Sequence, residues 1–249
     1  MAFAPTPIVT ATLEAIPDVD VIVDEAIERL KKTKILTSEK VSSNFSDALA
    51  TLEKTAYSVY QDYEFKALEK LKEKCLEKLG KDATLKEALD YAFPLVKEFE
   101  FRAGQARKTR GGHTFEKAVP LLLQKMLIQC EKPTGEDATD TFRQVDLIAP
   151  SVQLAKEKPD QAIYISAKRT LRERWKQVVD EKILGYVYLI TNSTDKRDLT
   201  KSKIESISKH KIILYVQDAV KNWSYLKDEK FVRTLNDLPM DLERFKKGE

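Results

Sequence analysis

Apolar residues recur three and four positions apart through most of the first hundred residues of this chain. The pattern is clear in "VDVIVDEAIERLKKTKI" (19–35), "SNFSDALATLEKTAYSVYQDYEFKALEKLKEKCLEKLG" (43–80) and "TLKEALDYAFPLVKEFEF" (84–101). That spacing stacks the apolar side chains on one face of a helix, so three helices are expected. Asp18 or Asp20, Ser43 and Thr84 can cap their starts, and Gly80 suits a C-terminal stop. "AGQARKTRGGHT" (103–114) lacks the period and reads as a polar loop. An apolar helix, "FEKAVPLLLQKMLIQC" (115–130), follows and should bend or restart at Pro120.

After the turn-rich "EKPTGEDATD" the pattern changes to short apolar runs. "RQVDLIAPS" (143–151) and "QAIYISAK" (161–168) read as two strands around a polar turn. A helix over 169–183 comes next, then a buried strand "GYVYLIT" (185–191), a helix over 198–210, a strand "KIILYVQ" (211–217) and a last helix over 229–238. The order makes a mixed sheet carrying helices, an α/β (α+β) class, with a helical N-terminal part over 1–100 and the core over 101–249. The two are expected to form one compact domain.

Composition narrows the setting without naming a partner. Apolar residues make up 42% and charged residues 33%, as in an ordered globular protein. A net charge of +3 does not itself imply a polyanion, so the distribution of charge must decide. Two cysteines, Cys75 and Cys130, build neither a disulfide framework nor a thiolate zinc site. No apolar run approaches the roughly 20 residues a membrane helix needs, and the N-terminus lacks a signal pattern. A cytoplasmic protein with no membrane partner is expected.

The chemistry concentrates where the second strand ends, at Lys168. A hairpin turn centred near 157 sets Asp146 directly across from Lys168, placing a carboxylate and an ammonium at one end of the sheet. Asp160 lies eight residues before Lys168, roughly 26 Å along a strand, and is a turn residue rather than a partner. An aspartate, a hairpin and a lysine form the skeleton of the PD-(D/E)XK nuclease site, in which carboxylates hold Mg²⁺ and the lysine polarises the attacking water. Such sites usually carry an acid two residues before the lysine, where this chain has Ser166; Glu181 stands thirteen residues after Lys168 on the following helix.

"RQVDLIAPS", "SAK", the Arg-Glu-Arg triplet at 172–174 and Glu181, in that order and spacing, resemble the EcoRII/PspGI type of restriction endonucleases, over roughly residues 100 to 220. The resemblance implies that Asp146, Lys168 and Glu181 form the Mg²⁺ site, with Glu116 supporting the metal from the preceding helix. It implies that Arg172, Glu173 and Arg174 read CC/GG half-sites, since arginine donates twice to guanine and glutamate accepts from cytosine. Gln105 matches a minor-groove contact in the loop before the Glu116 helix. Around it Arg102, Arg107, Lys108 and Arg110 can neutralise a phosphate backbone. The group also flips a central base, for which Tyr57, Tyr60, Tyr63 and Phe65 are the aromatic candidates, although the group's arginine four residues before the aromatic is missing here.

The expected activity is therefore Mg²⁺-dependent double-strand cleavage of DNA at a short pseudo-palindrome with CC/GG half-sites by a type II site-specific deoxyribonuclease. One chain supplies one site for two strands, so a homodimer is expected, with a DNA methyltransferase as genetic partner. Each element also has a plainer reading: Asp146 and Lys168 as a structural ion pair, the triplet as a solvated helix start, the tyrosines as packing, and the Gln105 stretch as a polar connection. His113 has no second histidine at metal spacing, and Trp175 and Trp223 read as packing residues. Two other functions stay open on the sequence: a repair or mobile-element nuclease of the same fold, and a catalytically silent DNA-binding protein.

Overall fold

The computed structural model describes residues 6–80, 82–171, 185–210 and 212–247. Its N-terminal helices are α1 (Pro7–Glu14), α2 (Val19–Lys31), α3 (Ser38–Ser43), α4 (Phe45–Leu79) and α5 (Leu85–Lys125). Asp18 caps α2 by accepting from Val21 N–H at 3.1 Å. Thr84 and Glu87 form a reciprocal capping box at α5: Glu87 N–H donates to Thr84 Oγ1 at 3.3 Å, and Thr84 N–H to Glu87 Oε2 at 2.9 Å. Gly80 ends α4 with φ +78°, a left-handed conformation that favours glycine. Asn44, rather than Ser43, caps α4 through Asp47 N–H at 3.0 Å.

The stretch 103–114 is not a loop. It is the middle of α5, which also runs through Pro94 and Pro120. Three glycines cost a helix about 1 kcal/mol each and an interior proline about 3 kcal/mol. Leu95, Phe99, Phe115, Val119, Leu122 and Leu123 are all buried along the helix, and each such side chain contributes roughly 1.5–3 kcal/mol. Packing on either side of the glycines outweighs their propensity.

The chain forms two compact units: Met1–Arg29 with Glu53–Thr114, and Leu30–Leu52 with Phe115–Glu249. The second contains β1 (Leu147–Ala149), α6 (Val152–Glu157), β2 (Ile163–Ala167), β3 (Tyr186–Ile190), α7 (Lys201–Ile207), β4 (Ile212–Val216), α8 (Asp218–Lys221), β5 (Val232–Thr234) and α9 (Leu238–Lys247). The strands lie in the order β1-β2-β3-β4-β5, with β1 antiparallel to β2 and the rest parallel. Every residue of β2 is buried, as its unbroken apolar run requires when both faces of a parallel sheet are covered.

Two expectations about this unit need correction. The connection between β1 and β2 is not a polar turn but α6 followed by a 3-10 turn over Pro159–Gln161, with Ser151 capping α6 and Ala155 buried. Leu147 consequently pairs with Ile165, and extending that register sets Asp146 across from Ser166, two residues short of Lys168. A shift of two preserves the face on which each side chain lies, whereas a shift of one would reverse it. The other correction concerns 229–238, which carries β5 in place of a helix. Leu214 N–H donates to Phe231 O and Leu235 N–H to Val216 O, both at 2.8 Å, so the edge of β4 supplies the backbone partners.

Asp241 on α9 is buried, accepts from Tyr215 Oη at 2.7 Å and pairs with Arg233 Nε at 3.0 Å. Burial raises its pKa above the ordinary aspartate value, against the opposing pull of Tyr215 and Arg233. A raised folded-state pKa penalises the ionised form, so this group lowers stability as pH rises from the ordinary aspartate range through the raised value. Asp241→Asn abolishes that titration. Urea unfolding between about pH 4 and about pH 7 should show the wild type losing stability relative to the variant as pH increases.

Gly185, just before β3, has no room for a side chain. A Cβ there would lie 2.5 Å from Pro159 O, 2.6 Å from the Tyr164 ring and 2.8 Å from Ala162 O. Backbone atoms cannot move aside cheaply, so Gly185→Ala should cost about 1–3 kcal/mol in chemical denaturation.

Candidate active site

At the carboxyl end of β2 the chain places a cation and an anion in direct contact. Lys168 Nζ donates to Asp146 Oδ2 at 2.7 Å. Lys168 is 8% exposed, a depth at which an unpaired ammonium would be strongly disfavoured. Its backbone is fixed too, because Lys168 N–H donates to Ile190 O at 2.8 Å, continuing the β2–β3 ladder one step past β2.

Asp146 is held from its own side. Its N–H donates to Ile165 O at 2.9 Å, which keeps it in line with β1, and its Oδ2 accepts from Ala167 N–H at 2.7 Å as well as from Lys168. Ser166, at the position where related sites carry an acid, donates to Gln144 O at 3.1 Å and has Asp146 Oδ2 at 3.5 Å. All of these donors fall on Oδ2, and among the described residues none falls on Oδ1. One carboxylate oxygen thus locks the local geometry.

Of the described groups at this contact, the Asp146 carboxylate is the one that could ligate a divalent cation. Asp146 Oδ1 is a hard oxygen of the kind Mg²⁺ takes. Among the described residues no three His, Cys, Asp or Glu side chains cluster as a metal-binding group. Glu116 is half-buried on the part of α5 that belongs to the same unit, directly after fully buried Phe115. Glu181, like Arg172, Glu173 and Arg174, lies outside the described residues.

Residues 65–238 match the family described as EcoRII C terminal, which spans well over half the chain. The chain belongs to the EcoRII C-terminal family. Among solved structures, metal-depleted Ecl18kI in complex with uncleaved DNA aligns with a TM-score of 0.79 at 19% identity, covering 99% of this chain and 86% of that one. A complex of the restriction endonuclease PspGI with substrate DNA aligns with a TM-score of 0.68 at 22% identity, covering 96% of each chain. At such identities the likeness establishes the restriction-endonuclease fold. A 60-residue stretch is 35% identical to an uncharacterised protein in the DsaVM 5′ region of Dactylococcopsis salina. The match covers 24% of this chain and 50% of that relative, so the chain spans about half the length of the curated relative it matches.

In this member of the EcoRII C-terminal family, the three candidate arginines of the other unit are engaged within the protein. Arg102 donates to Thr10 Oγ1 at 2.8 Å and Glu98 Oε1 at 3.2 Å. Arg107 holds Glu64 at 2.9 and 3.1 Å and Glu100 at 3.2 Å, which raises its own pKa. Arg110 donates to Pro17 O and lies 5.3 Å from the centre of the Tyr60 ring. Lys108 and Gln105 are exposed one helical turn apart on α5.

The aromatic candidates separate by burial. Tyr60 is 4% exposed and bonded to Glu64; burial first, then the Glu64 charge, pushes its pKa up to about 12. Tyr63 donates to Glu25 Oε2 at 2.9 Å with the Lys66 ammonium over its ring. Tyr57 and Phe65 are 51% and 63% exposed. Sequence reasoning had no means of sorting these four, because it depends on which way a long helix faces.

The Lys168–Asp146 pair generates a stability prediction. Asp146→Ala leaves the buried ammonium without its anion and should lower the unfolding free energy by about 1–3 kcal/mol. Lys168→Met added to Asp146→Ala should recover part of the loss, and equal losses in the single and double variants would contradict the pairing.

Proposed function

We propose that this protein is a type II restriction endonuclease that cleaves both strands of DNA with Mg²⁺ at a short pseudo-palindrome built from CC/GG half-sites. The observation that carries the reading is the buried Lys168–Asp146 contact at the end of β2, in a chain of the EcoRII C-terminal family. Asp146, Glu181 and Glu116 would hold the cation. When bound, it supplies positive charge to the phosphate and lowers the pKa of a coordinated water.

The chain's own residues account for the other requirements. Asp146 offers Oδ1 while Oδ2 stays bonded to the Ala167 amide and to Lys168, so the carboxylate is oriented before any ligand arrives. Lys168 sets its side-chain nitrogen beside that carboxylate and stabilises the negative charge that develops as a water oxygen attacks phosphorus and the 3′ oxygen leaves. Ser166 steadies the strand through Gln144 O.

Recognition falls to Arg172, Glu173 and Arg174, whose donors and acceptor match guanine and cytosine edges in the major groove. Gln105 is assigned to the minor groove. Lys108, with Arg102, Arg107 and Arg110, is assigned to the phosphate backbone, although the three arginines would have to share or exchange their present partners. Of the aromatic residues, Tyr57 and Phe65 are assigned to stack a flipped base, a choice their exposure supports. A homodimer delivers one site to each strand, a DNA methyltransferase protects the host genome, and the enzyme works in the cytoplasm. No helix among the described residues is long and apolar enough to cross a membrane.

Digestion of an unmethylated plasmid library with purified protein and Mg²⁺, with every end mapped by sequencing, tests the reading. Ends clustered at one motif with CC/GG flanks are expected; intact DNA or scattered ends would refute it. Chelation of the cation should stop cleavage, and Lys168→Ala should abolish cleavage while leaving DNA binding measurable. Arg172→Ala should relax selection at one position of the motif, worth about 1–3 kcal/mol of discrimination.

A further inference from the structure

The loop that follows β3 contains a hydroxyl with an unusual placement. Thr191 is 0% exposed, and its backbone N–H continues the sheet by donating to Tyr215 O at 3.0 Å. Its Oγ1 reaches sideways across the sheet and donates to Arg169 O at 3.3 Å, while accepting from Ser193 N–H at 3.3 Å. One step earlier in both strands, Lys168 N–H donates to Ile190 O. Lys168 and Arg169 are thus tied to consecutive residues of the neighbouring strand and its extension, the first by backbone and the second by the Thr191 side chain. Leu171, 0% exposed, is the next fixed point.

This matters because β2 ends at Ala167, and the parallel ladder reaches only one residue further. The Thr191 hydroxyl extends the tie to β3 by one more residue, to the Arg169 peptide that directly follows Lys168. A valine has the shape of threonine but no hydroxyl, so the sheet alone does not explain why this position carries Oγ1.

We propose that Thr191 is a positioning residue for the active site: its hydroxyl fixes the Arg169 peptide and thereby holds the Lys168 ammonium where the reaction requires it. The inference rests on the nuclease reading of Lys168. It predicts a loss in the rate of the chemical step without a matching loss in DNA binding, since Thr191 is fully buried.

The test compares wild type, Thr191→Val and Thr191→Ser on a duplex carrying the mapped cleavage site. Two quantities are read: the single-turnover cleavage rate with saturating protein and Mg²⁺, and affinity for the same duplex without added divalent cation. Thr191→Val should cut about tenfold more slowly with its affinity changed by less than about twofold, and Thr191→Ser should cut within about threefold of wild type. Thr191→Ala provides a second variant without the hydroxyl should the valine protein not fold. The inference is overturned if the variants lacking the hydroxyl cut at the wild-type rate, if rate and affinity fall together, or if the serine variant falls as far as the valine one. Failure of the wild type to cut any duplex would instead overturn the nuclease reading itself, and the role of Thr191 with it.

Discussion

A buried ammonium needs an anion within reach, and in this protein that requirement organises the end of the sheet. Lys168 is nearly inaccessible and finds its partner in Asp146, directly before β1, a strand antiparallel to β2. The same Asp146 oxygen takes the Ala167 amide, so a single carboxylate joins the edge strand to the parallel block both electrostatically and through the backbone. Among the described residues, no donor falls on the second carboxylate oxygen.

The parallel block provides the rigid frame for that contact. β2, β3 and β4 are apolar along nearly their whole length, and Gly185 lets the start of β3 approach the backbone of Pro159 and Ala162 at a distance no side chain would permit. The carboxyl ends of these strands lie together, and Lys168 and Thr191 each continue the ladder one residue beyond the strand proper. Polar side chains at such ends are held by the sheet without being consumed by it, which suits groups that must meet a ligand.

α5 shows a different balance. Glycines and prolines that would end an isolated helix are carried through by apolar residues buried on both sides of them. Once that stretch is helical, its arginines point at regular intervals into neighbouring carboxylates and carbonyls. Cations that look like one basic cluster along the chain become separate internal contacts, with Lys108 and Gln105 left on the exposed side.

The chain's own pattern determined the helical front, the four main apolar strands and the pairing of Asp146 with Lys168, because each follows from short-range periodicity or from an obligatory charge partner. The same pattern could not reveal that 103–114 is helical or that 229–238 holds a strand. Those outcomes depend on buried contacts from residues outside each segment and on the free edge of β4. It also placed Asp146 opposite the wrong residue, since the number of residues consumed by α6 and the 3-10 turn sets the register, while the long lysine side chain spans the two-residue difference. The sorting of Tyr57 and Phe65 from Tyr60 and Tyr63, and the burial of the Thr191 hydroxyl against Arg169 O, were decided by tertiary structure alone. Sequence spacing fixes which side chains share a face of their own element, but only the packing of other elements decides which face meets solvent.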